Sequence, residues 1–197
     1  MSTPTYSSAT LSIFNVSEYN GSVSTVDCGA VENCIIYCHN SDDAFHAGIC
    51  IYFSVNASLV SNLAVECMCG FACYRAEVLS PGPSNQFNMT CDGVSACGRF
   101  ALDLINTSHV NIDCTPTVTV DSDESPCYSA GWSISNALST QIHCGYAGCA
   151  YAEITSSSSN SSVGMGTFNV ICNDSSSCLG MDIYAAALHS RSPPFYL

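Results

Sequence analysis

The side chains in this 197-residue chain that could do chemistry are few, and most of them are acidic. Glu77, Asp103, Glu153 and Asp182 recur at similar places in successive segments, with Arg75 and Arg99 a few residues before the first two. Clustered carboxylates beside a cation can hold calcium or exchange protons with a sugar chain. The plainer reading is a solvated face carrying one or two surface ion pairs of small energetic worth, and Ser133 interrupts the series. Asp121, Asp123 and Glu124 lack the glycine and spacing of an EF-hand loop and read as a solvated loop. His39, His46, His109, His143 and His189 are scattered, without the paired spacing of a metal site. No nucleophile elbow, P-loop or dinucleotide fingerprint occurs. The expectation is therefore a protein without catalytic, cofactor-binding or metal-ligating residues, and not an enzyme.

Charge narrows the partners. The formal net charge is -13, and Arg75, Arg99 and Arg191 are the only cations besides histidine. Such a surface repels phosphate backbones and anionic headgroups, which argues against nucleic acid and membrane surfaces. No apolar run is long enough to span a bilayer, so membrane insertion is not expected. Met1–Thr10 has neither the basic nor the apolar region of a signal peptide.

Fifteen cysteines point to an oxidising compartment, since their intervals are wider than those of zinc ribbons or fingers. Seven N-x-[ST] sequons, at Asn15, Asn20, Asn56, Asn88, Asn106, Asn160 and Asn173, point the same way, to an extracellular glycoprotein with covalent glycans.

The cysteines also reveal a repeat. Cys67, Cys91, Cys114, Cys144 and Cys172 each follow a short strand-like run, and Cys28 after Ser24-Thr-Val-Asp27 fits the same column. The spacings between these first cysteines are 39, 24, 23, 30 and 28 residues. Fixed strands with corners of variable length suit a β-solenoid. A second cysteine follows each first one, then a second strand. Residues two and four before the first cysteine are mostly apolar, such as Val65 and Leu63, or Ile112 and Val110, and polar residues alternate with them. Period 2 turns the apolar set inward; Ile171 breaks the pattern. The second strand offers an inward ladder of Val55, Val78, Leu104, Ile134, Ile154 and Ile183. Leu11-Ser-Ile-Phe-Asn15 fits that second template, which would align Asn15, Asn56 and Asn106 in one column beside Asn136. Tyr184–Leu188 is the one short helical candidate, and Ser156–Ser162 reads as a low-complexity loop.

The expected bridges are Cys28–Cys50, Cys67–Cys73, Cys91–Cys97, Cys114–Cys127, Cys144–Cys149 and Cys172–Cys178, with Cys34–Cys38 inside the first insertion. Cys28–Cys34 with Cys38–Cys50 is the alternative for the first corner. Cys69 is left over, as a buried thiol or an intersubunit link.

The C-x5-C units Cys67–Cys73, Cys91–Cys97 and Cys172–Cys178, with the shorter Cys144–Cys149, resemble the cysteine-cornered parallel β-helix repeats of secreted and cell-surface proteins in microbial eukaryotes. The resemblance covers roughly residues 11–186. It implies a right-handed coil and a surface or matrix role, without catalytic residues. The expected fold is an all-β, right-handed parallel β-helix of about six to seven short coils with disulfides at the corners. Residues 1–10 form an N-terminal tail, 11–186 the solenoid domain, and 187–197 a C-terminal docking tail. The expected function is a structural glycoprotein stacking end to end with copies of itself into an extracellular fibre. The rival is a secreted protein that binds or cleaves polysaccharide through its acidic outward ladder.

Overall fold

A computed structural model of the protein describes residues 7–14, 24–39, 50–79, 84–117, 124–158, 166–174 and 176–187. Strict alternation shapes these segments: His109–Cys114 buries every second side chain, and Ser139–Cys144 does the same. A half-buried period-2 pattern is stable only with one face on a core. Here the faces of two parallel sheets close on each other. The first sheet runs β1 (Ser7–Phe14), β3 (Val31–Cys38), β5 (Asn62–Cys67), β7 (Gln86–Cys91), β9 (His109–Cys114), β11 (Ser139–Cys144) and β13 (Thr167–Cys172). The second runs β2 (Ser24–Asp27), β4 (Phe53–Asn56), β6 (Glu77–Leu79), β8 (Ala101–Ile105), β10 (Gly131–Ser135), β12 (Glu153–Ser158) and β14 (Asp182–Ala187). Sequence order alternates between the sheets, so each coil gives one strand to each. The fold is a parallel β-solenoid, and the described residues contain no α-helix.

Like residues stack on like along the axis. Val65, Met89, Ile112, Ile142 and Val170 share one register row of the first sheet. Val55, Val78, Leu102, Trp132, Ile154 and Ile183 share one row of the second. All but Val170 and Ile183, in the last coil, are buried, and each such aliphatic side chain contributes about 1.5–3 kcal/mol of burial.

The corner between the sheets is ordered as strictly as the strands. After β5, the amides of Ala72, Tyr74 and Ala76 donate back within the corner, to the carbonyls of Cys69, Phe71 and Cys73. The intervening amides of Phe71, Cys73 and Arg75 donate forward, to Val94, Ala96 and Gly98 of the next corner. This alternation places Phe71, Arg75, Ser95, Arg99, Ser129, Ala147 and Tyr151 at φ between 49° and 56°. Left-handed backbone costs a residue with a Cβ roughly 1–2 kcal/mol. Short loops closed by disulfides offset that cost by restricting the unfolded chain.

Seven disulfides form, with Cα–Cα separations of 5.5 to 6.0 Å. From Cys67–Cys73 onward the partners are those expected from the repeat. The first corner differs: Cys28 pairs with Cys34, and Cys38 with Cys50. Cys34 and Cys38 lie four residues apart on the extended strand β3, about 13 Å, beyond the reach of a bridge. Cys38, not Cys28, stands in register with Cys67, because β2 pairs with β4 in the second sheet.

Four further expectations change. The segment around Leu11 lies in the first sheet, with Leu11 opposite Cys34, so it does not follow the second-strand template. Leu104 and Ile134 do stack inward, yet they form a row of their own, two residues beyond the row of Val78, Leu102 and Trp132. A two-residue slip keeps every side chain on its face, so alternation alone does not detect it. Tyr184–Ala187 is extended, not helical, because pairing with Thr155–Ser158 outweighs the helical preference of its alanines. The same pairing puts Ser156, Ser157 and Ser158 of the expected loop into strand β12; residues 159–162 lie outside the described residues. So do 1–6 and 188–197, and with them most of both expected tails.

Candidate functional site

The strand register decides which outward side chains can cooperate. Glu77 is in register with Ser54 and Ala101, and Glu153 with Gly131 and Asp182. Asp103 lies two residues further along, opposite Leu79 and Ser133. The four carboxylates thus divide into Glu77, Asp103 and the neighbouring pair Glu153 and Asp182. Of the Asp121, Asp123 and Glu124 loop, only the exposed Glu124 is described. His46 and His189 lie outside the described residues.

A polar set that the sequence reading did not assemble sits on the outward face of the first sheet. Asp113 and His143 each precede a first cysteine and are register neighbours, with 3.6 Å between Oδ1 and Nδ1. Thr115 donates to Asp113 Oδ1 at 2.5 Å and lies 3.4 Å from the same Nδ1. Asn173 Nδ2 donates to His143 Nε2 at 2.7 Å. Acid, histidine and hydroxyl resemble a hydrolytic triad in composition only. A nucleophile must face the ring nitrogen opposite the carboxylate, and here Thr115 and Asp113 crowd the same nitrogen. The arrangement is a cross-rung hydrogen-bond network. The signal for it was present: both residues occupy one position of the repeat.

Sulfur offers no ligand set either. The Sγ atoms of Cys91, Cys97 and Cys127 lie within 4.8 Å of one another, but all three are in disulfides and carry no thiolate. Cys69 is half-buried and forms no disulfide.

Among the sequons, Asn56, Asn106 and Asn173 are exposed, and Asn88 is half-buried on the outward face of β7. Asn15, Asn20 and Asn160 lie outside the described residues. Asn56 is in register with Asp27 and hence with Leu79, three positions before the row of Asn106 and Asn136, so the expected column does not form. Asn106 and Asn136 have a structural use as well: both take φ near 60°, and Asn136 Nδ2 donates to Asn106 Oδ1 at 3.0 Å. Asparagine tolerates this left-handed conformation better than most residues.

One amide in the corner of the last described coil is satisfied locally. Ser176 occupies the corner position whose amide, as at Phe71 and Ser95, would donate to the next coil. In the last described coil its amide and hydroxyl both donate to Asp174 Oδ1, each at 2.8 Å. Partial burial pushes the Asp174 carboxyl up, but the hydrogen bonds from Ser176 and Ser177 outweigh this and hold it below its ordinary value of 3.8. A depressed carboxyl stabilises the folded state above its unfolded pKa and loses that contribution as pH falls through the folded one. Protection of the Ser176 amide from hydrogen exchange is expected to disappear below the usual carboxylate range. Asp174→Ala should abolish that protection at every pH; unchanged protection by NMR would rule out this local bond.

A second corner strip is aromatic and cationic. Tyr52, Arg75, Arg99, Ser129 and Tyr151 occupy one position of successive corners, linked by the amide ladder Tyr52 to Tyr74, Arg75 to Gly98, Arg99 to Tyr128 and Ser129 to Ala150. Arg75 donates to Tyr52 Oη at 2.8 Å, which raises its pKa further. Its guanidinium lies 5.6 and 5.4 Å from the ring centroids of Tyr52 and Tyr74.

Fold and corners together define a disulfide-rich parallel β-solenoid repeat protein, and seven disulfides are typical of extracellular proteins. No protein-family model, curated protein or solved structure matches the chain.

Proposed function

We propose that this chain is a structural glycoprotein subunit of an extracellular fibre, of the secreted or cell-surface kind its corners resemble, and that copies stack end to end along the solenoid axis. The observation that carries this reading is the open face of the last described coil. β13 and β14 are the outermost strands of both sheets at the same end. Their inward side chains Phe168, Val170, Met181 and Ile183 are only half-buried, whereas the equivalent positions of earlier coils are fully covered. Ile171, Leu179 and Tyr184 add exposed apolar surface at this end, Tyr184 at 56%.

The corners give the contact a direction. Each offers amides toward the C-terminal end and carbonyls toward the N-terminal end, as in Cys149 to Ser177 and Tyr151 to Leu179. Cys178 and Gly180 hold the corresponding positions in the last corner, and among the described residues nothing accepts from their amides. Donors at one end and acceptors at the other suit a head-to-tail contact, which repeats into a filament without closing. Sequons on outward positions fit a glycan coat along its sides.

The oxidised, glycosylated protein should form rods in electron micrographs, with an axial repeat of about 30 Å set by the strand spacing. Monomers alone at every concentration, by imaging and by sedimentation, would sink the reading.

A further inference from the structure

The tyrosine–arginine corner has a use that stacking leaves unexplained. Arg75 and Arg99 are two of only three non-histidine cations in a chain of net charge -13. They stand on consecutive rungs, and neither forms an ion pair within the described residues, where the pair present is His143 with Asp113. Both are exposed, and a guanidinium carries five N–H donors, of which the bond to Tyr52 occupies only one on Arg75.

The tyrosines beside them are held in place. Tyr74 lies against Gly98 so closely that a Cβ there would stand 2.9 Å from its ring. Tyr151 lies against Gly180 in the same way, at 2.7 Å. Tyr128 meets Tyr151 edge to face at 5.7 Å, with 76° between the planes, and so braces that ring without extending its face. Each glycine removes the side chain that would tilt the ring, and Tyr151 remains 49% exposed.

We infer that this corner is a binding strip for a neutral polysaccharide running parallel to the solenoid axis, with sugar rings packed against Tyr74 and Tyr151 and hydroxyls accepting from Arg75 and Arg99. The electron-rich face of a fixed aromatic ring suits the C–H face of a pyranose. The planar guanidinium supplies several donors in fixed directions. Tyr74 and Tyr151 stand three rungs apart, about 15 Å, comparable to the length of three sugar units. A polyanion is disfavoured by the net charge and by Glu77 and Glu153, two residues beyond Arg75 and Tyr151. A globular protein partner needs roughly 800 Å² on each side, and a strip two residues wide suits an extended polymer better.

The test is retention of the purified, oxidised protein on microcrystalline cellulose, chitin and insoluble β-1,3-glucan, with alginate as the anionic comparison. Binding to at least one neutral polymer is expected. Tyr151→Ala and Tyr74→Ala should each weaken it about tenfold, with the disulfides and circular dichroism unchanged. Glu77→Gln and Asp103→Asn should leave it intact, which separates this strip from the acidic face. Arg99→Lys, which keeps the charge but loses the planar fork, reports on the arginines if a tyrosine variant fails to fold. No retention on any neutral polymer, retention on alginate alone, or equal binding by all the variants would overturn the inference. Soluble monomer suffices for the assay, so the result does not depend on filament formation.

Discussion

Replacing Trp132 by alanine is expected to lower the stability of the oxidised protein by about 3–5 kcal/mol, the range for emptying a large aromatic site in a packed core. Trp132 is the only tryptophan, only 2% exposed, and fills the row between Leu102 and Ile154. Neighbouring rungs are tied by backbone ladders on both sides and by disulfides at the corner, so they cannot collapse far into the space. The indole Nε1 finds no hydrogen-bond partner among the described residues. Trp132→Phe therefore loses volume but also removes a buried donor, and should cost less than about 1.5 kcal/mol. Guanidinium unfolding followed by circular dichroism separates the two variants. Equal, small losses for both would mean that the coil at β10 is not packed as described.

Gly148→Ala should be comparably damaging for a different reason. A Cβ at this position would stand 2.0 Å from the carbonyl oxygen of Cys114, and 2.9 Å from the Gly145 amide nitrogen. Both obstacles are backbone. Cys114 is bridged to Cys127 and paired with Cys144, and the Gly148 carbonyl accepts from Cys127 at 3.0 Å. Relief requires the corner to lift off the preceding rung, with loss of the hydrogen bonds that its carbonyls accept from Cys127 and Ser129, so roughly 3 kcal/mol or more is expected. Gly131 is the control: nothing lies within 4 Å of a Cβ built there, and Gly131→Ala should fall within about 0.5 kcal/mol of the parent. The same unfolding curves, with a thiol titration to verify the bridges, check both. A neutral Gly148→Ala would mean that the rungs are spaced more widely at this corner.

Much of this architecture is written locally in the chain. Alternation such as Val110-Asn-Ile-Asp113 tells which face is inward, because successive side chains of a strand point to opposite sides. A cysteine closing each such run marks the corner, and the six-residue spacing of Cys67 and Cys73 suits a bridge across one turn. Those two signals are enough for a disulfide-cornered parallel solenoid, and for most of its bridges.

Tertiary structure decided what local signals leave degenerate. A slip of two residues preserves every inward face, so only the ladder shows that Leu102, not Leu104, stacks on Val78. Cys28 and Cys38 both follow strand-like runs, and the sheet each strand joins is a matter of pairing, which assigns the first-cysteine place to Cys38. The alanines after Tyr184 are extended because β12 supplies partners for their backbone. The tyrosine–arginine strip is the extreme case. Tyr52, Arg75, Arg99 and Tyr151 are between 23 and 99 residues apart along the chain, and have no motif in common. They become neighbours because the corner's alternating amides stack one coil on the next, a long-range register that no window of the sequence contains.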